Sequence, residues 1–232
     1  MNTVSKATVK KAFTATVPVM TGYLVLAIGF GILLKTKGYG VGWAIAMSGF
    51  IYAGSMQYLA IDLLCGGASL LTTALTTLMV NARHLFYGIS MIDRYKDTGK
   101  KKPYLIFALT DETYSLVCSE ESVKGTDEPK EYYFLVSLFN QTYWVVGSII
   151  GSLLGNVIPF NVEGIDFALT ALFVTIFVEQ WLTTKNHRSA LIGVITSILC
   201  LIIYGDDSFL IPTMIIIVSL LIAQKSKLEE MM

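Results

Sequence analysis

The chain has 232 residues, of which 54% are apolar and only 15% charged, and its mean hydropathy is +0.63. A soluble domain needs about a quarter charged residues to keep its surface wet, so this composition argues against a soluble fold. The formal net charge is zero, which leaves no basic surplus for nucleic acid or for a polybasic membrane anchor.

A helix needs about 20 mostly apolar residues to cross the hydrocarbon core of a bilayer. Eight stretches meet or approach that length: 13–34, 41–64, 68–92, 103–119, 132–158, 165–183, 189–204 and 209–224. The first follows Lys6, Lys10 and Lys11. Its apolar run is too long for a secretory signal and has no convincing cleavage site, so it is predicted to be a retained first membrane helix. Pro18 is expected to kink it, and Gly22, Gly29 and Gly31 are expected to serve packing. In the second stretch, Gly49, Gly54 and Ser55 permit close helix approach or local unwinding. Asn81-Ala82-Arg83-His84 interrupts the third, and Asp111-Glu112 interrupts the short fourth. Asn140-Gln141-Thr142 lies near the start of the fifth, and Glu179-Gln180 near the end of the sixth.

The only sizeable polar stretch is 120–131, with Gly125 and Pro129 as breakers. Residues 1–232 are therefore read as one transmembrane domain. Backbone groups in lipid must pair internally, and apolar runs this long are not the alternating pattern of a barrel. The fold class is an all-α integral membrane bundle of about seven or eight segments. Cys65, Cys118 and Cys200 have no metal-ligand or disulfide spacing and are expected to be small core residues.

A faint repeat relates halves at about 13–119 and 132–224. Tyr23-x-Val25 and Gly31-x-Leu33-Leu34 recur 120 residues later as Tyr143-x-Val145 and Gly151-x-Leu153-Leu154, and Gln57-Tyr58-Leu59 is echoed by Gln180-Trp181-Leu182. Arg94, Lys96 and Lys100 to Lys102 follow the third stretch, and Lys185 and Arg188 follow the sixth. Placing both basic loops in the cytoplasm requires one stretch between them to enter and leave on the same side. The short 103–119 stretch is the candidate. That reading makes the two halves an inverted repeat with broken or re-entrant helices, and it puts the N-terminus outside.

Ionisable side chains at membrane depth cost at least about 2.5 kcal/mol each, so each needs a partner or a wet cavity. Arg83 cannot be neutralised, and Asp111 or Glu112 is its natural partner. Such a pair can simply lock two helices, and Arg83 can also snorkel to the interface. Alternatively, Arg83 holds a substrate carboxylate. His84 is either a hydrogen-bonded structural residue or a proton carrier. On a helix, Asp111 and Glu112 point about 100° apart, so they are not expected to serve one site equally. Thr110 could cap a short helix that begins with them. Trp43, Trp144 and Trp181 fit either interface anchors or pocket walls.

Three ordered stretches carry a family resemblance: Tyr52-Ala53-Gly54-Ser55-Met56-Gln57-Tyr58, Asn81-Ala82-Arg83-His84-Leu85-Phe86-Tyr87-Gly88, and Leu109-Thr110-Asp111-Glu112-Thr113-Tyr114. With Tyr143-Trp144-Val145-Val146-Gly147, they resemble the AzlC family, the large subunits of branched-chain amino-acid exporters. The likeness spans essentially the whole chain. It implies export of a branched-chain amino acid through the cell membrane by a multi-pass protein working with a small AzlD-type membrane subunit. Asn81 stands where the family often has Asp, and Met56 replaces a smaller residue.

A zwitterion held in mid-membrane needs N–H groups or a cation for its carboxylate, acceptors for its ammonium and an apolar pocket. Gly54, Ser55, Gln57, Asn81, Arg83, Asp111 and Asn140 are the candidate substrate-binding residues. His84, Asp111 and Glu112 are the candidates for proton coupling, since no phosphate-binding loop is present. No metal or cofactor is expected. A passive channel is the main rival reading. An intramembrane enzyme is disfavoured because no zinc-protease or serine-nucleophile motif occurs.

Overall fold

The computed structural model describes residues 4–118, 121–155, 187–205 and 209–223, together with 171, 174, 177, 178, 181 and 182. Glu179, Gln180 and Lys185 lie outside the described residues, as does most of the 165–183 stretch. The chain divides into two compact units, Met1–Leu169 and Thr170–Met232. In the second, the helices Arg188–Tyr204 and Leu210–Ala223 pack against each other.

The first unit is organised by two long helices, α1 (Lys6–Thr36) and α9 (Pro129–Leu154), both long and apolar enough to span a bilayer. Ser5 caps α1 by accepting the Thr8 N–H, and Pro129 opens α9 at a position where its missing N–H costs nothing. The two helices run side by side and parallel. Thr8 meets Glu128 at one end, and Gly155 meets Lys35 at the other. Contacts stay near the 120-residue offset: a Cβ on Gly147 would lie 2.7 Å from that of Ala27. A Cβ on Gly31 would lie 2.2 Å from the Ser148 carbonyl oxygen, and one on Gly151 would lie 2.1 Å from the Ile28 carbonyl oxygen. Small residues thus let the backbones touch, which is how membrane helices pack without a hydrophobic drive. Gly22, by contrast, has nothing near its missing side chain among the described residues.

Three sequence stretches between α1 and α9 are each broken in the middle. The 41–64 stretch becomes α2 (Val41–Ala46), a π-helical segment (Met47–Ile51) and α3 (Gly54–Cys65). Tyr52 sits between them in the left-handed region, at φ 45°, a costly conformation for a bulky residue. The 68–92 stretch becomes α4 (Leu70–Val80) and α5 (Arg83–Ser90), parted at Asn81, and α6 (Ile92–Tyr95) follows. The 103–119 stretch becomes α7 (Lys102–Phe107) and α8 (Asp111–Val117). Thr110 is extended and accepts the Thr113 N–H, the cap expected from the sequence.

Two of the three stretches turn back on themselves. In the first, Gln57 of α3 hydrogen-bonds Ser48 of the π segment at 3.2 Å, across the break at Tyr52. Ile61 then shares a core with Ala44 and Met47. In the third stretch, Lys101 before α7 pairs with Glu131 at the start of α9, and Val117 at the end of α8 shares a core with Tyr132 and Val136. The α2–α3 hairpin therefore enters from the Lys35 end of the unit and the α7–α8 hairpin from the Thr8 end. Only α4–α5 runs the full way between the ends, bringing Tyr95 to Tyr133. The turning back of 103–119 agrees with the sequence reading. The inverted relation does not fit, because equivalent helices would then be antiparallel, whereas α1 and α9 are parallel. The 41–64 stretch turns back as well.

Trp144 is buried and Trp43 half exposed. Cys200 is buried as expected, but Cys65 is exposed and Cys118 only partly covered.

At the Thr8 end, the Glu128 carboxylate ties the two long helices together. It accepts from the Ser5 N–H at 3.0 Å and the Thr8 hydroxyl at 2.9 Å, and these bonds, the first above all, hold its pKa below the usual carboxylate range. A depressed carboxylate contributes stability above its unfolded pKa and loses it as pH falls through the folded value. Amide protection factors at residues 5–8, corrected for the intrinsic pH dependence of exchange, should therefore fall as pH drops below the ordinary glutamate value of about 4.3. Glu128→Gln should remove that dependence.

Candidate functional site

The breaks, which bear all three polar motifs, meet at mid-length of α1 and α9. Arg83, opening α5, places Nη1 2.9 Å from Asp111 Oδ2, the residue opening α8. Its Nη2 donates to Ser55 Oγ at 2.9 Å, at the start of α3. One guanidinium therefore joins the two opposed hairpin tips to the broken crossing helix. Its side chain is 30% exposed and that of Asp111 22%, so the pair borders accessible space and is not sealed in dry packing. Several buried atoms here lack hydrogen-bond partners among the described residues: Arg83 Nε, Asp111 Oδ1 and Asn81 Oδ1. Buried polar atoms are rarely left so, and a cluster of them fits a polar guest.

Asp111 and Glu112 diverge as helical geometry requires. Glu112 Oε2 accepts from the Tyr23 hydroxyl of α1 at 2.6 Å, and that hydroxyl also lies 2.7 Å from Thr110 Oγ1. One carboxylate thus faces Arg83 and the other faces α1. Asn140 Nδ2 donates to Thr113 Oγ1 at 3.0 Å and anchors the α8 tip to α9, while its Oδ1 stays unpaired.

No side chain caps the N-terminus of α3 at Ala53. Its first N–H groups and dipole therefore point toward the meeting place, a setting suited to an anion. Gly54 allows that approach. A Cβ there would lie 2.9 Å from the Trp144 ring.

Gln57, like Asn140, sits deeper than the other predicted residues. It is fully buried, with Oε1 accepting the Trp144 indole N–H at 2.9 Å and Nε2 donating to Ser48. Ser48 in turn donates to Ser148 of α9 at 2.8 Å. Both ends of the amide are engaged in holding the hairpin to α9. Trp144→Phe should orphan that buried oxygen and cost about 1–3 kcal/mol, read as a lowered melting temperature in detergent. His84 is also set apart. Its Nδ1 lies 3.1 Å from the Asn81 carbonyl, and its ring sits edge-on to Tyr87. Tyr87 stacks on Tyr114 of α8 at 4.5 Å.

Sequence reasoning missed Tyr23, Ser48, Thr113 and Ser148. Hydroxyl residues within apolar runs read as ordinary packing, and only tertiary contact shows which polar groups they serve.

An ion-paired centre where broken helices meet inside an apolar helical bundle is the layout of a membrane solute carrier. The AzlC protein family model matches residues 18–158. The chain is 43% identical to the branched-chain amino acid transport protein AzlC of Bacillus subtilis, over 97% of this chain and 88% of that protein. It is 42% identical to an uncharacterized membrane protein of Haemophilus influenzae, over 95% of this chain and 90% of that one. An uncharacterized membrane protein of Helicobacter pylori is 40% identical, with coverage of 95% and 96%. The chain belongs to the AzlC family. No solved structure matches it.

Proposed function

We propose that the chain is the large subunit of a secondary exporter of branched-chain amino acids in the cell membrane, working with a small AzlD-type subunit and driven by protons. The observation that carries this reading is the Arg83–Asp111–Ser55 junction between opposed hairpin tips. A zwitterion fits it in kind. Its carboxylate would take Arg83 and the open N-terminus of α3, and its ammonium would take Asp111 and the Asn81 side-chain oxygen. Binding would then loosen the Arg83–Asp111 pair and free the hairpins to move.

Glu112 is the proton carrier in this scheme. It has no cationic partner among the described residues and shares α8 with Asp111. A proton on Glu112 and a substrate on Asp111 would therefore move the same short helix. His84 is the second candidate for coupling. Passive conduction fits less well, because a channel has no need of an ion pair across its moving parts.

Positive residues favour the cytoplasmic side. Lys6, Lys10, Lys11, Arg94, Lys96, Lys100, Lys101 and Lys102 belong to segments that gather at the Thr8 end, which we assign to the cytoplasm. Native Cys65 then lies on the outer side and Cys118 on the inner side. In intact cells an impermeant maleimide should label Cys65, and an introduced Ala68→Cys, but not Cys118. Labelling of Cys118 alone would reverse the orientation, and labelling of both native cysteines would mean that the two hairpins do not enter from opposite sides.

Proteoliposomes test transport directly. Labelled leucine or valine should exchange by counterflow, more strongly with the small subunit present, and collapse of the pH gradient should stop uphill movement. Flux that ignores the pH gradient would remove the coupling.

A further inference from the structure

The first unit holds a cavity of about 210 Å³ between α5–α6 and α7, whose lining does not include Arg83, Asp111 or Ser55. Leu85, Gly88, Met91, Ile92, Ile106 and Leu109 supply apolar wall, with His84, Tyr95 and Lys102 as the polar members. Three of the wall residues are open to the outside: Leu85 is 62% exposed, and Ile92 and Ile106 are each 57% exposed. In the membrane placement proposed above, a mouth lined by such exposed apolar side chains would open sideways into the bilayer.

The polar members complete a head-and-tail pattern. Lys102 has no carboxylate partner among the described residues, and it ends the basic run that begins at Arg94. Tyr95 is 2% exposed, and its hydroxyl has no hydrogen-bond partner. A cation beside an apolar slot, at the basic end of the bundle, complements a phosphate joined to an acyl chain. Basic pockets between membrane helices on the cytoplasmic side recognise anionic lipid headgroups in this way. An amino acid fits less well, because no carboxylate lines the cavity to receive its ammonium.

We propose that this cavity is a binding site for an anionic phospholipid, with the phosphate at Lys102 and one acyl chain against Gly88, Ile92 and Ile106. The lipid would bear on α5, the helix that carries Arg83. This inference rests on the membrane orientation proposed above, but its readout does not depend on transport.

The test is native mass spectrometry of the full chain released from vesicles of phosphatidylcholine alone or mixed with phosphatidylglycerol. The expected result is retained phosphatidylglycerol in preference to phosphatidylcholine, with retention cut about tenfold (about 1.4 kcal/mol) by Lys102→Gln. Lys37→Gln, at the opposite end, should leave it unchanged. Gly88→Leu offers a second variant: a Cβ there meets nothing within 4 Å, so the side chain can fill the slot and expel the acyl chain while Lys102 remains. Equal retention of the two lipids, or retention unaffected by both variants, overturns the proposal. So does inorganic phosphate competing the lipid away, since the acyl chain would then contribute nothing, or displacement by leucine, which would make the cavity a substrate site.

Discussion

Leucine in place of Gly31 or Gly151 should abolish the folded protein. The Cβ atom alone would stand 2.2 Å from the Ser148 carbonyl oxygen in one case and 2.1 Å from the Ile28 carbonyl oxygen in the other. No rotamer relieves a Cβ contact, and the opposing atoms are backbone held in helices. The pair must separate, and overpacking of even a well-filled core costs about 1–3 kcal/mol. Here the loss also spreads along an in-register contact from Thr8 to Lys35. The expected result is aggregated protein in size-exclusion chromatography, with alanine at the same positions giving a lowered melting temperature. Gly22→Ala is the control, because its missing side chain faces open space. Normal elution of both leucine variants would show that the two long helices do not touch as described.

The second large effect concerns Arg83 and Asp111. Arg83→Gln leaves the Asp111 carboxylate without its cation, and Asp111→Asn leaves Arg83 with Ser55 as its remaining partner. Removing one member of a fully buried pair costs about 3–5 kcal/mol, while surface pairs matter little. With side chains 30% and 22% exposed, a loss on the order of 1–3 kcal/mol lies between those limits. Each single variant should lose counterflow by more than about tenfold. The exchanged double variant, Arg83→Asp with Asp111→Arg, separates the two roles open to this pair. A pair that merely locks two helices would regain both folded yield and transport on exchange. A pair that also receives the substrate should regain yield alone, because the carboxylate and ammonium would meet the wrong charges.

How much of this was legible beforehand can be judged residue by residue. Arg83 announced an acidic partner, Asp111 or Glu112, because a guanidinium among apolar residues demands an anion and the chain offers few; the structure selects Asp111. Thr110 before Asp111-Glu112 announced a helix start, and the short 103–119 stretch announced a re-entrant segment. The 41–64 stretch did not. Its length and hydropathy are those of a full crossing, and the reversal depends on Tyr52 adopting a left-handed conformation that its residue type disfavours. Gln57 looked like a ligand for solute because a lone amide in an apolar helix is conspicuous. Its partners, Trp144 and Ser48, lie 87 and 9 residues away in the chain.

The sequence by itself determined that this is a helical membrane protein with polar groups set into its apolar stretches, because hydrocarbon imposes its demands one residue at a time and each charge must be justified where it stands. Tertiary structure alone decided that α1 and α9 run parallel, that two hairpins enter from opposite ends, and that Arg83 joins their tips. Direction of packing and choice of partner are properties of pairs, fixed by which backbones can approach and which polar groups they bring together. A linear pattern of hydropathy carries neither.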